Sequence, residues 1–300
     1  MNSHNLLVIV GPTATGKTRL AVTLALEQGG EIISADSRQV YRGLDIGAGK
    51  DLDEYMVDGQ KVPYHLIDEV DLDQEFSVFD FQRRFYEVFD NVSARGVLPV
   101  LVGGTGLYLD SILMEYNLVA VPENLMLRTE LYGLSFEELK QRLAQVKRLH
   151  NVSDFGSPER VIRAIEITTF QKNHAAEVRP ALNPLIFGIQ VEHQILRQRI
   201  HDRLHRRFNQ GLIAEVEQLI KRGVSQERLD SLGLEYRYVT RFLTGAITSQ
   251  DELALKLEQA IYQFARRQES WFRRMERKGI RIHWLEGADL NSAREVIQKH

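Results

Sequence analysis

The chain contains no cysteine. That absence excludes disulfides, a zinc-thiolate module and a thiol nucleophile, and it fits a reducing compartment. No apolar run approaches the roughly 18 residues that a membrane span needs. The leading MNSHNLLVIVGP is too short in apolar residues for a signal peptide. A cytoplasmic location with no membrane partner is therefore expected. Charge of either sign is not in large excess: the net charge is −3, so the chain as a whole is no magnet for nucleic acid. Internal repeats and low-complexity segments are also lacking. What remains is an ordinary globular composition, 43% hydrophobic and 26% charged over 300 residues. That is enough for a sizeable core, as one large domain or a core with a satellite.

The rest of the chain is organised around Leu6 to Thr18, LLVIVGPTATGKT. Five apolar residues predict a buried parallel strand. The next eight, Gly11, Pro12, Thr13, Ala14, Thr15, Gly16, Lys17 and Thr18, match the phosphate-binding P-loop. Gly11 and Gly16 permit a tight loop with inward-facing N–H groups. Lys17 places a point charge on the distal phosphates, the Thr18 hydroxyl suits a Mg²⁺ ion, and the N-terminus of the following helix completes an anion site. A di- or triphosphate is expected there, and the motif does not choose between them.

Glu31 to Ala35 predict a second strand, which delivers Asp36 at its carboxyl end. In an open parallel sheet that end borders the P-loop. Asp36 suits a general base or an outer-shell Mg²⁺ partner; the plainer alternative is an Asp that caps the next turn. Ser37, Arg38, Gln39 and Tyr41 follow at once and offer hydrogen bonds to a base edge. His65 reads as structural. Phe76, Phe79, Phe81, Phe85 and Phe89 fall at helical spacing and read as core. A third strand, Val97 to Val102, ends in Gly103-Gly104-Thr105-Gly106. Most P-loop NTPases place a Mg²⁺-holding carboxylate at that point. Its replacement argues against an ordinary ATPase or kinase. Glycines there let a substrate approach the backbone, with the Thr105 hydroxyl as a ligand.

Residues 118–157 read as a helical insertion, and SPERVIRAIEITTF as a helix capped by Ser157. Strands are expected at Leu185 to Val191 and Ile280 to Gly287. Between them, 193–278 is helical throughout, broken near Gly211. Two stretches are rich in arginine: Arg197, Arg199, Arg203, Arg206 and Arg207, then ARRQESWFRRMERKG. A charge run can be a plain solvated face. Beside a phosphate site, two such helices also suit pyrophosphate clamps and nucleic-acid backbone contacts.

GPTATGKT, DSRQVYRGLDIG, VPYHLID, FSVFDF, LVGGTGLYL, RVIRAIEI, RI-x₂-R with GLIAEV, and QFARRQESWFR occur in that order over nearly the whole chain. In this the chain resembles the tRNA dimethylallyltransferase family, also called tRNA isopentenyltransferases. DS-x-Q-x-Y with GGTGLY and RQ-x-x-WFR carry the specificity. The resemblance implies an α/β fold: a P-loop-NTPase-like parallel sheet flanked by helices, with a helical insertion and a largely helical tRNA-binding region. It implies a core from 1–117, 158–192 and 279–300, an insertion at 118–157, and a basic helical region at 193–278. It implies transfer of a dimethylallyl group from dimethylallyl diphosphate, with Mg²⁺, to the N6 amine of the adenosine 3′ of a tRNA anticodon. A monomer is expected.

Carried over by motif, Asp36 resembles the general base. Lys17, Thr18 with Mg²⁺, and Arg199 or Arg203 would hold the pyrophosphate. Thr105 resembles an acceptor-contacting Thr. Ser37, Arg38 and Gln39, then Arg128, then Glu159, Arg160, Val161, Ile162 and Arg163 match tRNA-facing segments. The chain departs from the usual family pattern at Ile46-Gly47-Ala48-Gly49-Lys50-Asp51, at Tyr64–His65, at HNVSDFGSP and at Leu232-Gly233-Leu234-Glu235-Tyr236. Prenyl transfer to a free adenine nucleotide, a small-molecule kinase and a non-catalytic tRNA-binding paralogue are the competing readings. The first would need no basic helical face. The second would need an acidic Mg²⁺ residue or an Arg-bearing lid. The third would be favoured had Asp36 or Lys17 been missing.

Overall fold

A computed structural model describes residues 4–146, 157–171 and 179–300. The end of the expected insertion, 147–156, lies outside them. The elements run β1 (Leu6–Val10), α1 (Lys17–Gln28), β2 (Gly30–Ala35), β3 (Met56–Val57), β4 (Gln60–Lys61), β5 (Tyr64–His65), α2 (Val78–Ala94), β6 (Leu98–Gly103) and α3 (Gly106–Leu113). They continue with α4 (Leu125–Tyr132), α5 (Phe136–Val146), α6 (Pro158–Gln171), β7 (Pro184–Gln190), α7 (His193–Gln210), α8 (Leu212–Lys221), α9 (Gln226–Ser231) and α10 (Leu234–Leu243). The last three are α11 (Gln250–Arg277), β8 (His283–Glu286) and α12 (Leu290–Gln298).

Contacts divide the chain into two units, Met1–Glu115 with Pro180–His300, and Tyr116–Arg179. In the first, six strands form one sheet in the order β5-β2-β6-β1-β7-β8. Every pairing in it is parallel. A parallel sheet must bury both faces, which explains apolar runs without alternation. Along β1, Leu6, Val8 and Val10 enter one core with Phe81 and Phe85 of α2 and Phe272 of α11. Leu7 and Ile9 enter the other with Leu20 and Leu24 of α1. Ser77 opens α2 through a capping box with Asp80. Phe81, Phe85 and Phe89 are buried as their spacing predicts, and Phe76 packs against the same cluster. A third core joins α7, α8, α10 and α11 through Leu204, Val216, Tyr236 and Ile261.

The second unit holds α4, α5 and α6 around Leu131, Leu139, Val161, Ile162 and Ile165. Residues 158–171 therefore pack with the insertion, whereas the sequence suggests they return to the sheet. The apolar face of α6 is what α4 and α5 need to bury theirs. The carboxylate of Glu166 is fully buried in this unit. It accepts hydrogen bonds from Arg128 at 2.8 and 3.0 Å, from Arg163 at 2.9 Å and from the Asn124 N–H at 2.9 Å. Burial pushes its pKa up, but the two guanidiniums win and hold it down to about 2. Its contribution to stability is thus present above about pH 4.5, the value in the unfolded chain, and is lost as pH falls through 2. Glu166→Ala should lower the stability of this unit by about 3–5 kcal/mol, the cost of breaking a buried pair. Hydrogen exchange at α4–α6, measured at neutral pH, checks it; unchanged protection would contradict it.

Candidate active site

Three neighbouring strands bring their carboxyl ends together. β1 leads into the P-loop, β2 into Asp36 and β6 into Gly104-Thr105. The residues beyond these ends line a cleft of about 1140 Å³. Such a crevice is where open parallel sheets bind ligands.

Within the P-loop, Gly16 caps α1 with a left-handed φ of 86°, which glycine adopts without strain. Gly11 is required for a different reason. A Cβ there would lie 3.0 Å from Thr15 Oγ1 and 3.2 Å from the Ile189 carbonyl. The buried Thr15 hydroxyl donates to the Pro12 carbonyl at 2.8 Å and closes the loop. Not every N–H faces inward. That of Thr13 donates to Gln268 Oε1 at 2.9 Å. Among the described residues, no hydrogen bond occupies the N–H groups of Ala14 to Thr18, so these remain to receive an anion. Lys17 Nζ donates to the Pro12 carbonyl at 3.3 Å. Its enclosure pushes its pKa down to about 8, opposed by the Asp36 charge and assisted by Arg203.

The Asp36 carboxylate is divided between the turn and the cleft. Its Oδ1 accepts the Arg38 N–H at 2.9 Å, forming the turn cap. Its Oδ2 accepts no hydrogen bond among the described residues, and the side chain lines the cleft. Across the sheet, Thr105 Oγ1 accepts the Ser37 N–H at 3.1 Å. Thr105 thus ties the end of β6 to the residue after Asp36. Gln39 is buried; it links Ser34 Oγ at 2.8 Å to the Gly49 carbonyl at 2.9 Å.

The glycines of the β6 loop serve the chain itself rather than a substrate. A Cβ on Gly103 would lie 2.3 Å from the Ala35 carbonyl oxygen, one on Gly104 2.3 Å from Gln268 Nε2, and one on Gly106 2.4 Å from the Trp271 ring. The sequence points to an approaching substrate, but a sheet neighbour and α11 occupy those spaces.

α7 supplies a stripe of cations four residues apart. Arg199 Nη1 donates to the Thr15 carbonyl at 3.3 Å. Arg203 donates to the Thr13 hydroxyl. Both candidates for the clamp therefore reach the P-loop. Burial lowers the Arg203 pKa to about 10, with Arg207 adding to the effect. A buried guanidinium beside a lysine is costly unless an anion joins them, and the cluster faces the free N–H groups. Arg207 was not singled out by motif. It is buried beneath the stripe, where it donates to the Gly47 carbonyl at 3.2 Å and Asp51 Oδ2 at 3.4 Å. The four-residue spacing was the available signal.

The variant loop at 45–51 is gripped from the helical side. Glu215 accepts the N–H groups of Asp45, Ile46 and Gly47 at 3.1, 2.7 and 3.0 Å. The Tyr236 hydroxyl donates to Glu215 at 2.8 Å and accepts the Ala48 N–H at 3.0 Å. Lys50, itself buried, pairs with Asp45 and Asp68. Sequence reading missed these roles; those of Glu215 and Tyr236 join the loop to residues between 168 and 188 positions away. In the second unit, the side chains of Glu159 and Arg160 are exposed. Those of Val161 and Ile162 are core, so as side-chain contacts for an external partner they are excluded. Arg128 and Arg163 are paired with Glu166.

A family model described as IPP transferase matches residues 39–275. The chain belongs to this family. A tRNA dimethylallyltransferase of Geotalea daltonii is 55% identical over 285 residues, 95% of this chain and 91% of that protein. One from Geotalea uraniireducens is 53% identical over 299 residues, 99% of this chain and 98% of its own. The crystal structure of the full-length tRNA isopentenylpyrophosphate transferase from Bacillus halodurans aligns with a TM-score of 0.70 at 30% identity. It covers 99% of this chain and 95% of that one. The IPP transferase match begins after the P-loop and Asp36, so those residues stand on their own geometry.

Proposed function

We propose that this protein transfers a dimethylallyl group from dimethylallyl diphosphate to the N6 amine of the adenosine 3′-adjacent to a tRNA anticodon, releasing diphosphate. One observation carries the reading: a P-loop enclosed by Lys17, Arg199 and Arg203 faces the Asp36 carboxylate across one cleft, with no carboxylate at the end of β6 to prepare a hydrolytic metal site. In this reading the diphosphate lies on the N–H groups of Ala14 to Thr18 and on the three cations. The adenine N6 approaches Asp36 Oδ2, flipped from the loop at a cost of a few kcal/mol. The N6 lone pair attacks C1 of the prenyl group, the C1–O bond breaks, and its electron pair leaves on diphosphate. Asp36 takes the N6 proton, and the cations stabilise the charge that develops on the leaving oxygen.

The Thr18 hydroxyl, in the first turn of α1, makes no hydrogen bond among the described residues, and an oxygen donor suits Mg²⁺. Thr18 would hold it, and it supplies charge neutralisation when bound. The half-buried Ser37–Arg38 loop at the cleft and, in the second unit, the exposed Glu159 and Arg160 are the proposed tRNA contacts.

Purified protein with Mg²⁺ and labelled dimethylallyl diphosphate should label unmodified tRNA and leave AMP and ATP unlabelled. Label on AMP would move the acceptor to free nucleotide. No label on any of them would refute prenyl transfer to adenine.

A further inference from the structure

The two halves of the cleft belong to different loops. The diphosphate cradle is P-loop backbone; the acceptor side is built from the ends of β2 and β6. Transfer needs the attacking nitrogen and the prenyl carbon about 3–3.5 Å apart, and a misplacement of about 1 Å costs roughly 100-fold. Something must fix the spacing between the loops.

Gln268 lies on α11 and is 7% exposed. Its Oε1 accepts the Thr13 N–H at 2.9 Å. Its Nε2 donates to the Gly104 carbonyl at 2.8 Å. One amide thus spans the cradle and the acceptor loop, using a donor at one end and an acceptor at the other. Gly104 is where it must be for this contact, since any Cβ there would strike Nε2. One turn further along α11, Trp271 seats against Gly106. The next residue after Gly104 is Thr105, which holds the Ser37 N–H beside Asp36. On the far side of Thr13, Arg203 holds the hydroxyl. The chain of contacts runs from the clamp, through Thr13, Gln268 and Gly104, to the loop that carries Asp36.

We propose that Gln268 is a positioning residue that sets the distance between the diphosphate cradle and the acceptor side of the cleft. In this role it acts through the two loops that it joins, not on the reacting atoms. The proposal rests on the function given above. Only an amide satisfies both ends: a carboxylate meets the Gly104 carbonyl oxygen with like partial charge, and a thioether meets neither end.

The test is single-turnover transfer by the full chain, with donor affinity measured separately by equilibrium binding of dimethylallyl diphosphate. Gln268→Glu keeps an acceptor for Thr13 and loses the Gly104 bond. Gln268→Met loses both at similar volume. Each should slow transfer at saturating substrates about 30- to 100-fold while donor affinity changes less than about 5-fold. Combined with Thr105→Ala, the effects should be less than multiplicative, because both act on the same loop. A purely structural prop would weaken donor binding and rate together, and that outcome in both variants would overturn the proposal. So would an unchanged rate in either folded variant. Wild-type protein run in parallel separates the two levels. If it transfers no label, the reading of the function fails; if it transfers normally and the variants match it, the role of Gln268 fails. Should one variant not fold, the other decides.

Discussion

Asp36→Asn should reduce prenyl transfer about 1,000-fold while leaving donor binding near its wild-type value at neutral pH. General-base removal costs roughly 100- to 10,000-fold. Asparagine is the informative replacement because its side-chain oxygen can still accept the Arg38 N–H at the Oδ1 position. The turn survives, and only the proton-accepting carboxylate is lost. Asp36→Ala removes the turn cap as well and should be worse. Single-turnover labelling of tRNA, with tryptophan fluorescence to verify folding, makes the measurement. Retention of more than a tenth of the wild-type rate would mean that the N6 proton leaves by another route, and the diphosphate itself would be the next acceptor to consider.

The legibility of this position was unequal to that of its neighbours. A strand that ends in Asp beside a P-loop announces itself, because strand period, strand length and the sheet's chemistry at carboxyl ends are local properties. The same holds for the P-loop and for Thr105. The boundaries moved by a residue or a few: the expected Val97–Val102 strand is Leu98–Gly103, and Ile280–Gly287 shortens to His283–Glu286. Tertiary bonds were illegible. Gln268 stands out in the sequence as part of RQ-x-x-WFR, but nothing local says that its amide will join Thr13 to Gly104, and nothing local in GLIAEV says that Glu215 will receive three N–H groups from residues 45–47. The β6 glycines show the same limit in reverse. Their number signalled a close approach, but a glycine does not say what approaches. The placement of α6 failed for a related reason: its apolar face could have served the sheet as well as α4 and α5, and the choice is made by packing.

Lys17→Met should weaken binding of dimethylallyl diphosphate about 100-fold and slow transfer by a comparable further factor. The first loss is that of a charge-assisted contact to the diphosphate. The second follows because negative charge grows on the leaving oxygen, so the lysine is worth more in the transition state than in the ground state. Wild-type protein should show the same dependence as a function of pH. In the free cleft, enclosure holds the Lys17 pKa down to about 8. Below that pH the ammonium is already formed and donor affinity is flat. Above it, binding must also take up a proton, and affinity should fall toward tenfold per pH unit until the pKa of the bound state is passed. Arg203, whose pKa is about 10, does not change charge in the first part of that range. The Asp36 charge opposes the depression of Lys17. Asp36→Asn should therefore move the onset of the fall to lower pH, although it leaves binding near wild type at pH 7. Isothermal titration at pH 7 to 9.5 in two buffers of different ionisation enthalpy gives both the affinity and the proton uptake. A flat profile in the wild type, or an onset that Asp36→Asn fails to shift, would show that Lys17 and Asp36 do not share the cleft electrostatically. The single-cleft arrangement on which the proposed transfer depends would fall with it.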